Sequence, residues 1–234
     1  MKKYHLHDFA FTIDGVHIFF DNKPHGIPKD RIAQAFFQRK LSYAVNAMVI
    51  GCLDRLIYDL NLASLGSISD STTWRCYRVK MILEGLHPKF LVAGDSGYSK
   101  GRIMVKPFTN EEALGDPQKR LFNLRLSDLR AEGSENIFGM WKMRLPIIKH
   151  VRLKHDNTME AVFATAVFHN YCVHWNEPEL HMDGEDEIPG EFPNFNQGQV
   201  HVVDDLDRAA VRAEGEIVRN RLLANMPPPT SDER

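Results

Sequence analysis

Residues 9 to 20 read FAFTIDGVHIFF: twelve residues rich in aromatic and β-branched side chains, interrupted only by Asp14, Gly15 and His17. So continuous an apolar run is the mark of a central strand covered on both faces. An ionised Asp inside such a strand costs several kcal/mol if it is buried without compensation. Four remedies exist for Asp14: an Arg or Lys partner, protonation, exposure at a sheet end, or a metal ion. His17 reads as a hydrogen-bonded strand residue.

Working outward, a turn-rich stretch with Pro24, Gly26 and Pro28 follows. Residues 41–52 (LSYAVNAMVIGC) and 56–63 (LIYDLNLA) read as two more strands joined by a short turn, making an antiparallel meander with the first. Asp70 or Ser71 is placed to cap a helix through Trp74, Val79, Ile82 and Leu83 that ends at Gly85. Residues 89–93 (KFLVA) form a short buried strand that delivers Asp95 into the turn Gly94-Asp95-Ser96-Gly97-Tyr98, and 103–105 add another. A long helical stretch covers about 116–144, bent or broken at Gly133, and Asn157 to Trp175 is an apolar, buried helix. His169 and Asn170 within it read as packing and internal hydrogen-bonding residues. The order of elements predicts an α/β fold: a mixed sheet with helices on its faces.

Charge divides the chain. Residues 1–176 hold 24 Lys and Arg against 17 Asp and Glu, whereas 177–234 hold 5 against 14. A basic body suits a polyanionic partner, and an acidic tail either lies over such a surface or stays in water. Residues 1–176 are therefore read as the catalytic body and 177–234 as an acidic, partly disordered tail with a helix over about 204–226. The longest apolar run, Ala161 to Phe168 with Thr165 inside it, is far short of the ~20 residues of a membrane span. The opening MKKYHLHDF lacks the apolar region of a secretory leader, so an intracellular location is expected. Three widely spaced cysteines, Cys52, Cys76 and Cys172, have neither zinc-site nor disulfide spacing. The GDSG at 94–97 is followed by Tyr98 rather than the Gly of a serine-protease box.

Two carboxylates leaving neighbouring strands, with a third from a helix, are hard oxygen ligands of the kind Mg²⁺ or Mn²⁺ takes. Two such ions ~3.5 to 4 Å apart activate a water and stabilise the leaving oxygen in phosphodiester displacement. Gly15 and Gly94 leave room beside Asp14 and Asp95.

Seven segments in order carry a resemblance. IDGVHI (13–18), RKLSYAVN (39–46), LGSISDS (65–71), AGDSGY (93–98), FNLRLSDLR (122–130), SENIFGMWKMRLP (134–146) and FHNYC (168–172) resemble the signature blocks of PIF/Harbinger-type DDE transposases and of the host nucleases derived from them. The resemblance implies a ribonuclease-H-like mixed five-stranded sheet flanked by helices. It also implies a divalent-metal-dependent DNA endonuclease working with two Mg²⁺ or Mn²⁺ ions, and a nuclear location with the cytoplasm as a second compartment. By motif, the catalytic and metal-ligating acids are Asp14, Asp95 and Glu135. One residue more than the pattern separates Arg130 from Glu135, which in a continuous α-helix turns Glu135 by about 100° and leaves Glu132 as the fallback acid. The family's upstream DNA-binding region is not seen before Asp14, so a separate DNA-binding partner protein is one expectation, and oligomers are compatible with the pattern. The basic residues around Glu135 are the expected phosphate contacts: Arg130, Lys142, Arg144, Lys149, Arg152 and Lys154, with Lys119, Arg120 and Arg125 nearby. The alternative is a truncated or domesticated relict that binds DNA or a protein partner without cleaving.

Overall fold

The computed structural model of the chain describes residues 6, 8–21, 36, 43–86, 90–153, 155–177 and 208–228. The apolar run at the start of the chain is the central strand, β1 (Phe9–Phe20), with β2 (Tyr43–Gly51) and β3 (Ile57–Leu65) laid antiparallel beside it. On its other edge β1 pairs in parallel with β4 (Leu91–Ala93), which pairs in parallel with β5 (Met104–Val105). The sheet order is thus β3-β2-β1-β4-β5, and a sixth two-residue strand, β6 (His150–Val151), joins the far end of β1 in parallel. The sheet is mixed, as the element order predicts, with one short strand beyond the five expected.

Helices cover both faces. Between β3 and β4 lie α1 (Asp70–Arg75) and α2 (Arg78–Gly85), two short helices where the periodicity predicts one, separated at Cys76 and Tyr77. The cap of α1 is Ser69, whose hydroxyl accepts from the Thr72 amide, so Asp70 is the first helical residue and not the cap. After β5 come α3 (Asn110–Ala113), closed by a Thr109–Glu112 capping box, and α4 (Pro117–Arg130), which starts with Asp116 accepting from the amides of Gln118 and Lys119 and with Pro117 in the first turn. Helix α5 (Asn136–Arg144) continues from α4 through a five-residue π turn at Ala131–Glu135. The surplus residue before Glu135 is therefore absorbed as a widened turn, and Gly133 is where that turn meets the sheet: a Cβ there would lie 2.7 Å from Thr12 Cγ2. The long helix α6 (His155–His174) and the C-terminal α7 (Arg208–Ala224) complete the set.

Three apolar clusters follow from the alternation of β1. Val16, Ile18 and Phe20 pack with Ile137, Trp141, Val162 and Ala166 of α5 and α6. On the opposite face Ile13 packs with Met48, Trp74, Tyr77, Tyr98 and Met104. Phe9, Leu91 and Val105 meet Phe122, Leu126 and Leu129 of α4, together with Val218, Leu222 and Met226. A buried Leu or Val of this kind contributes ~1.5 to 3 kcal/mol, so α7 is held as part of the body. His169 bonds through Nε2 to the Arg55 carbonyl, and Asn170 accepts from the Ile57 amide and donates to the Ile57 carbonyl at 2.8 Å each, fastening α6 to the edge of β3. No helix among the described residues is long and apolar enough to cross a membrane.

Candidate active site

Strand register builds the site. Thr12 stands opposite Ala93, the last residue of β4, and two residues further along these parallel chains come Asp14 and Asp95. β6 picks up the same edge of β1 only at Phe19, so the edge from Asp14 to Ile18 has no strand partner on that side among the described residues.

Asp14 is mostly buried there. Its Oδ1 accepts from the Gly15 amide at 2.9 Å, and its Oδ2 lies 3.5 Å from Arg130 Nη2. Desolvation outweighs the Arg130 charge and that backbone bond, and with the like charges of Asp70 and Asp95 it pushes the Asp14 carboxyl up to about 6. Of the four remedies open to this acid, the structure uses a cationic partner and a partial shift toward protonation.

Asp95 sits in a turn closed by its own Oδ1, which accepts from the Gly97 amide at 2.8 Å. Lys106, which no motif singles out, donates to the carbonyls of Ser96 and Tyr98 at 2.7 and 2.9 Å and so fixes that turn from below. Burial holds its ammonium pKa down. The signal for it was a lysine directly after the strand ending at Val105. Gly94 admits the buried Tyr98, whose ring atom would lie 2.8 Å from a Cβ at that position. Burial and the charges of Asp70, Asp14 and Asp95 push the Tyr98 hydroxyl far up, so it stays protonated.

Asp70 comes from the other face. Its Oδ1 accepts from Asn46 Nδ2 at 2.5 Å and would run into a Cβ at Gly15, so the glycine after Asp14 is what admits the Asp70 side chain. Glu135 is exposed, while its neighbours Gly133 and Ser134 are buried, Ser134 donating to Thr12 Oγ1 at 2.7 Å. Glu132 is half-buried. Among the described residues, no three of His, Cys, Asp and Glu stand in metal-holding geometry, so neither Asp14–Asp95–Glu135 nor Asp14–Asp70–Asp95 forms a closed cage. His17 bonds the Gly66 carbonyl, as a strand histidine does.

The expected phosphate contacts scatter. Arg130 is committed to Asp14, and Arg125 is buried, its guanidinium donating to the carbonyls of Pro227 and Pro228. Arg144 donates to the Glu177 carbonyl, and Arg152 pairs with Asp21, whose pKa it lowers. Lys142 is half-buried and Lys149 exposed. Lys154 lies outside the described residues. Arg125 and Arg130 thus face inward, contrary to what charge alone suggests; a stem that packs on apolar surface carries its guanidinium wherever oxygen acceptors wait.

The sequence model of the DDE superfamily endonuclease family matches residues 13–170, more than half of the chain. The chain belongs to this family, whose activity implies a nuclease acting on DNA and whose members generally use divalent metals. No curated protein and no solved structure matches the chain. The carboxylates are of the donor class such an ion takes, and Asp70 and Asp95 act on Asp14 as like charges against the one cation Arg130, but among the described residues they are not gathered into a metal-holding group.

Proposed function

We propose that this chain is a divalent-metal-dependent DNA endonuclease of Harbinger transposase type, hydrolysing phosphodiester bonds, with residues 1–176 as its catalytic body and 177–234 as a C-terminal region. The observation that carries the reading is the register of β1 and β4, which brings Asp14 and Asp95 level at an open strand edge in a member of an endonuclease family. A ribonuclease-H-like core agrees with the order β3-β2-β1-β4-β5.

Asp14 and Asp95 would hold two Mg²⁺ or Mn²⁺ ions, which when bound supply an activated water and neutralise charge on the leaving oxygen. The protein does the rest by position. Lys106 keeps the Asp95 turn rigid, and Gly15 and Gly94 keep bulk away from the two carboxylates. Burial raises the Asp14 carboxyl, a cost that a bound cation would offset. Lys142 and Lys149 would offer cations to a DNA backbone, and Arg152 would do so on leaving Asp21. DNA is then the partner, the nucleus the compartment, and a separate DNA-binding protein a source of target choice.

The competing reading, a relict that binds without cutting, draws on the exposed Glu135. Nicking of supercoiled plasmid in Mg²⁺ or Mn²⁺ decides between them. Nicking by the intact chain and not by Asp95→Asn supports the nuclease; binding without nicking at any protein concentration supports the relict.

A further inference from the structure

Helix α7 lies beyond the residues that the endonuclease family matches, yet it closes on the loop that carries Asp95. We propose that α7 is a positioning element of this active site: its residues 214–216 clasp residues 100–102 and so hold the turn from which Asp95 is presented. The proposal rests on the nuclease reading above for the role of Asp95.

The clasp sets three consecutive residues against three others. Arg102 donates to Glu214 from Nε at 2.8 Å and from Nη2 at 3.2 Å, a bidentate pair. Lys100 donates to Glu216 at 2.5 Å and to Glu112 at 3.2 Å. Between the two pairs glycine meets glycine, for a Cβ at Gly215 would lie 2.8 Å from the Gly101 nitrogen and 2.9 Å from its carbonyl oxygen. Glycine inside a helix is unfavourable. Here the backbone of the loop occupies the space that a side chain would need.

The clasped residues run straight on from the Asp95 turn. Asp95 accepts from the Gly97 amide through Oδ1 and from the Tyr98 amide through its carbonyl. Lys106 holds that turn on one side through the Ser96 and Tyr98 carbonyls, and Lys100 and Arg219 both repel its ammonium. Cations therefore crowd beside the turn, and α7 brings Glu214 and Glu216 to keep Arg102 and Lys100 in place. Arg102 and Glu214 are half-exposed, so their pair adds little to the stability of the whole fold. What it restrains is local.

Charge reversal in the full chain tests the clasp. Arg102→Glu and Glu214→Arg each put like charges across it, and the two together restore an ion pair in the opposite sense. Each single variant should speed amide exchange at Gly97 and Tyr98 at least about threefold while Phe122, buried in α4, stays within about twofold. Plasmid nicking in Mg²⁺ should slow at least about threefold. The double variant should return both readings to within about twofold of the unaltered chain. Gly215→Ala, which keeps every charge and wedges α7 off Gly101, should act like the single variants. Unchanged exchange at Gly97 and Tyr98 in all of them overturns the proposal. Equal acceleration at Phe122 without rescue by the double variant makes α7 a general stabiliser and overturns it too. Faster exchange with nicking unaltered removes the positioning role and leaves the nuclease reading standing, whereas no nicking by the unaltered chain overturns both.

Discussion

Arg130, at the last position of α4, reaches Asp14 of β1 with Nη2 3.5 Å from Oδ2, and both side chains are largely withdrawn from water. The pair joins the helix that precedes the π turn to the strand that carries the first acid. A guanidinium used this way is not free to meet phosphate. Each phosphate contact steepens the salt dependence of DNA binding by about one unit. Arg130→Met should therefore leave that slope unchanged while pushing the Asp14 carboxyl above its present value of about 6. Carboxyl-carbon NMR of Asp14 and binding isotherms at several salt concentrations check the two halves; a slope reduced by a full unit would show that Arg130 leaves Asp14 for DNA.

Asp14 itself carries a stability cost that depends on pH. Its folded pKa, about 6, lies above the ordinary 3.8, so the folded state binds the proton more tightly than the unfolded chain. Stability from this group is full below pH about 4, falls as pH rises toward about 6, and is flat beyond. A shift of that size amounts to on the order of 2 to 3 kcal/mol at most, and the amide of Asp14→Asn loses part of it by leaving Arg130 without a counter-charge. Denaturant unfolding in EDTA should show Asp14→Asn more stable than the unaltered chain by about 1 to 2 kcal/mol at pH 7.5, with the gain gone at pH 4. A less stable variant at pH 7.5 would mean that the Arg130 pair outweighs burial.

The central strand and its meander were legible because an unbroken apolar run has few other homes, and Asp14 stood out because burial makes an acid in such a run expensive. Asp95 was legible from the glycines around it. The cap of α1 was legible only to within a residue: any polar residue before a helix is read locally as a cap, and it is Ser69 whose hydroxyl takes that task, with Asp70 in the first turn. The inward turn of Arg125 and Arg130 was hidden for a related reason, since charge patterning reveals which residues are cationic but not where a long flexible stem lays its head group. The surplus residue before Glu135 could be counted in the sequence. That it becomes a π turn depends on Gly133 lying against Thr12, a contact between residues more than a hundred positions apart.

Gly133 is the point at which the π turn can be tested. In an exposed helix Gly→Ala stabilises by about 1 kcal/mol, but here the new Cβ would lie 2.7 Å from Thr12 Cγ2 and 2.8 Å from its Oγ1. Gly133→Ala should therefore destabilise by about 1 to 3 kcal/mol. Thr12→Ala removes both clashing atoms, though it also removes the Ser134 hydrogen bond. In the double variant the two losses should sum to less than their separate values, by at least about 0.5 kcal/mol in a double-mutant cycle. Plain additivity would mean that the widened turn does not press on β1.

The C-terminal helix offers the last prediction, because an acidic segment that reads as solvated is clamped to the body by buried charge. Arg219 is 1% exposed, lies 3.8 Å over the Phe108 ring and donates to Glu112 and Glu216 at 2.7 Å each, while Lys100 donates to the same two acids. These cations pull the Glu112 carboxyl down to about 2. A depressed acid adds stability that is present above its unfolded value of about 4.5 and is lost as pH falls toward about 2. Arg219→Met keeps the packing over Phe108 but leaves the two carboxylates with Lys100 as their cation. Removing one partner of a buried pair costs up to ~3 to 5 kcal/mol, and because Glu112 and Glu216 are partly in water about 1 to 3 is expected here. Limited proteolysis should then release residues 208–228 from Arg219→Met at pH 7, whereas the unaltered chain should release them only below pH about 4. If the variant resists protease as well as the unaltered chain does, apolar packing by Val218, Leu222 and Met226 holds α7 by itself and the charge cluster is incidental.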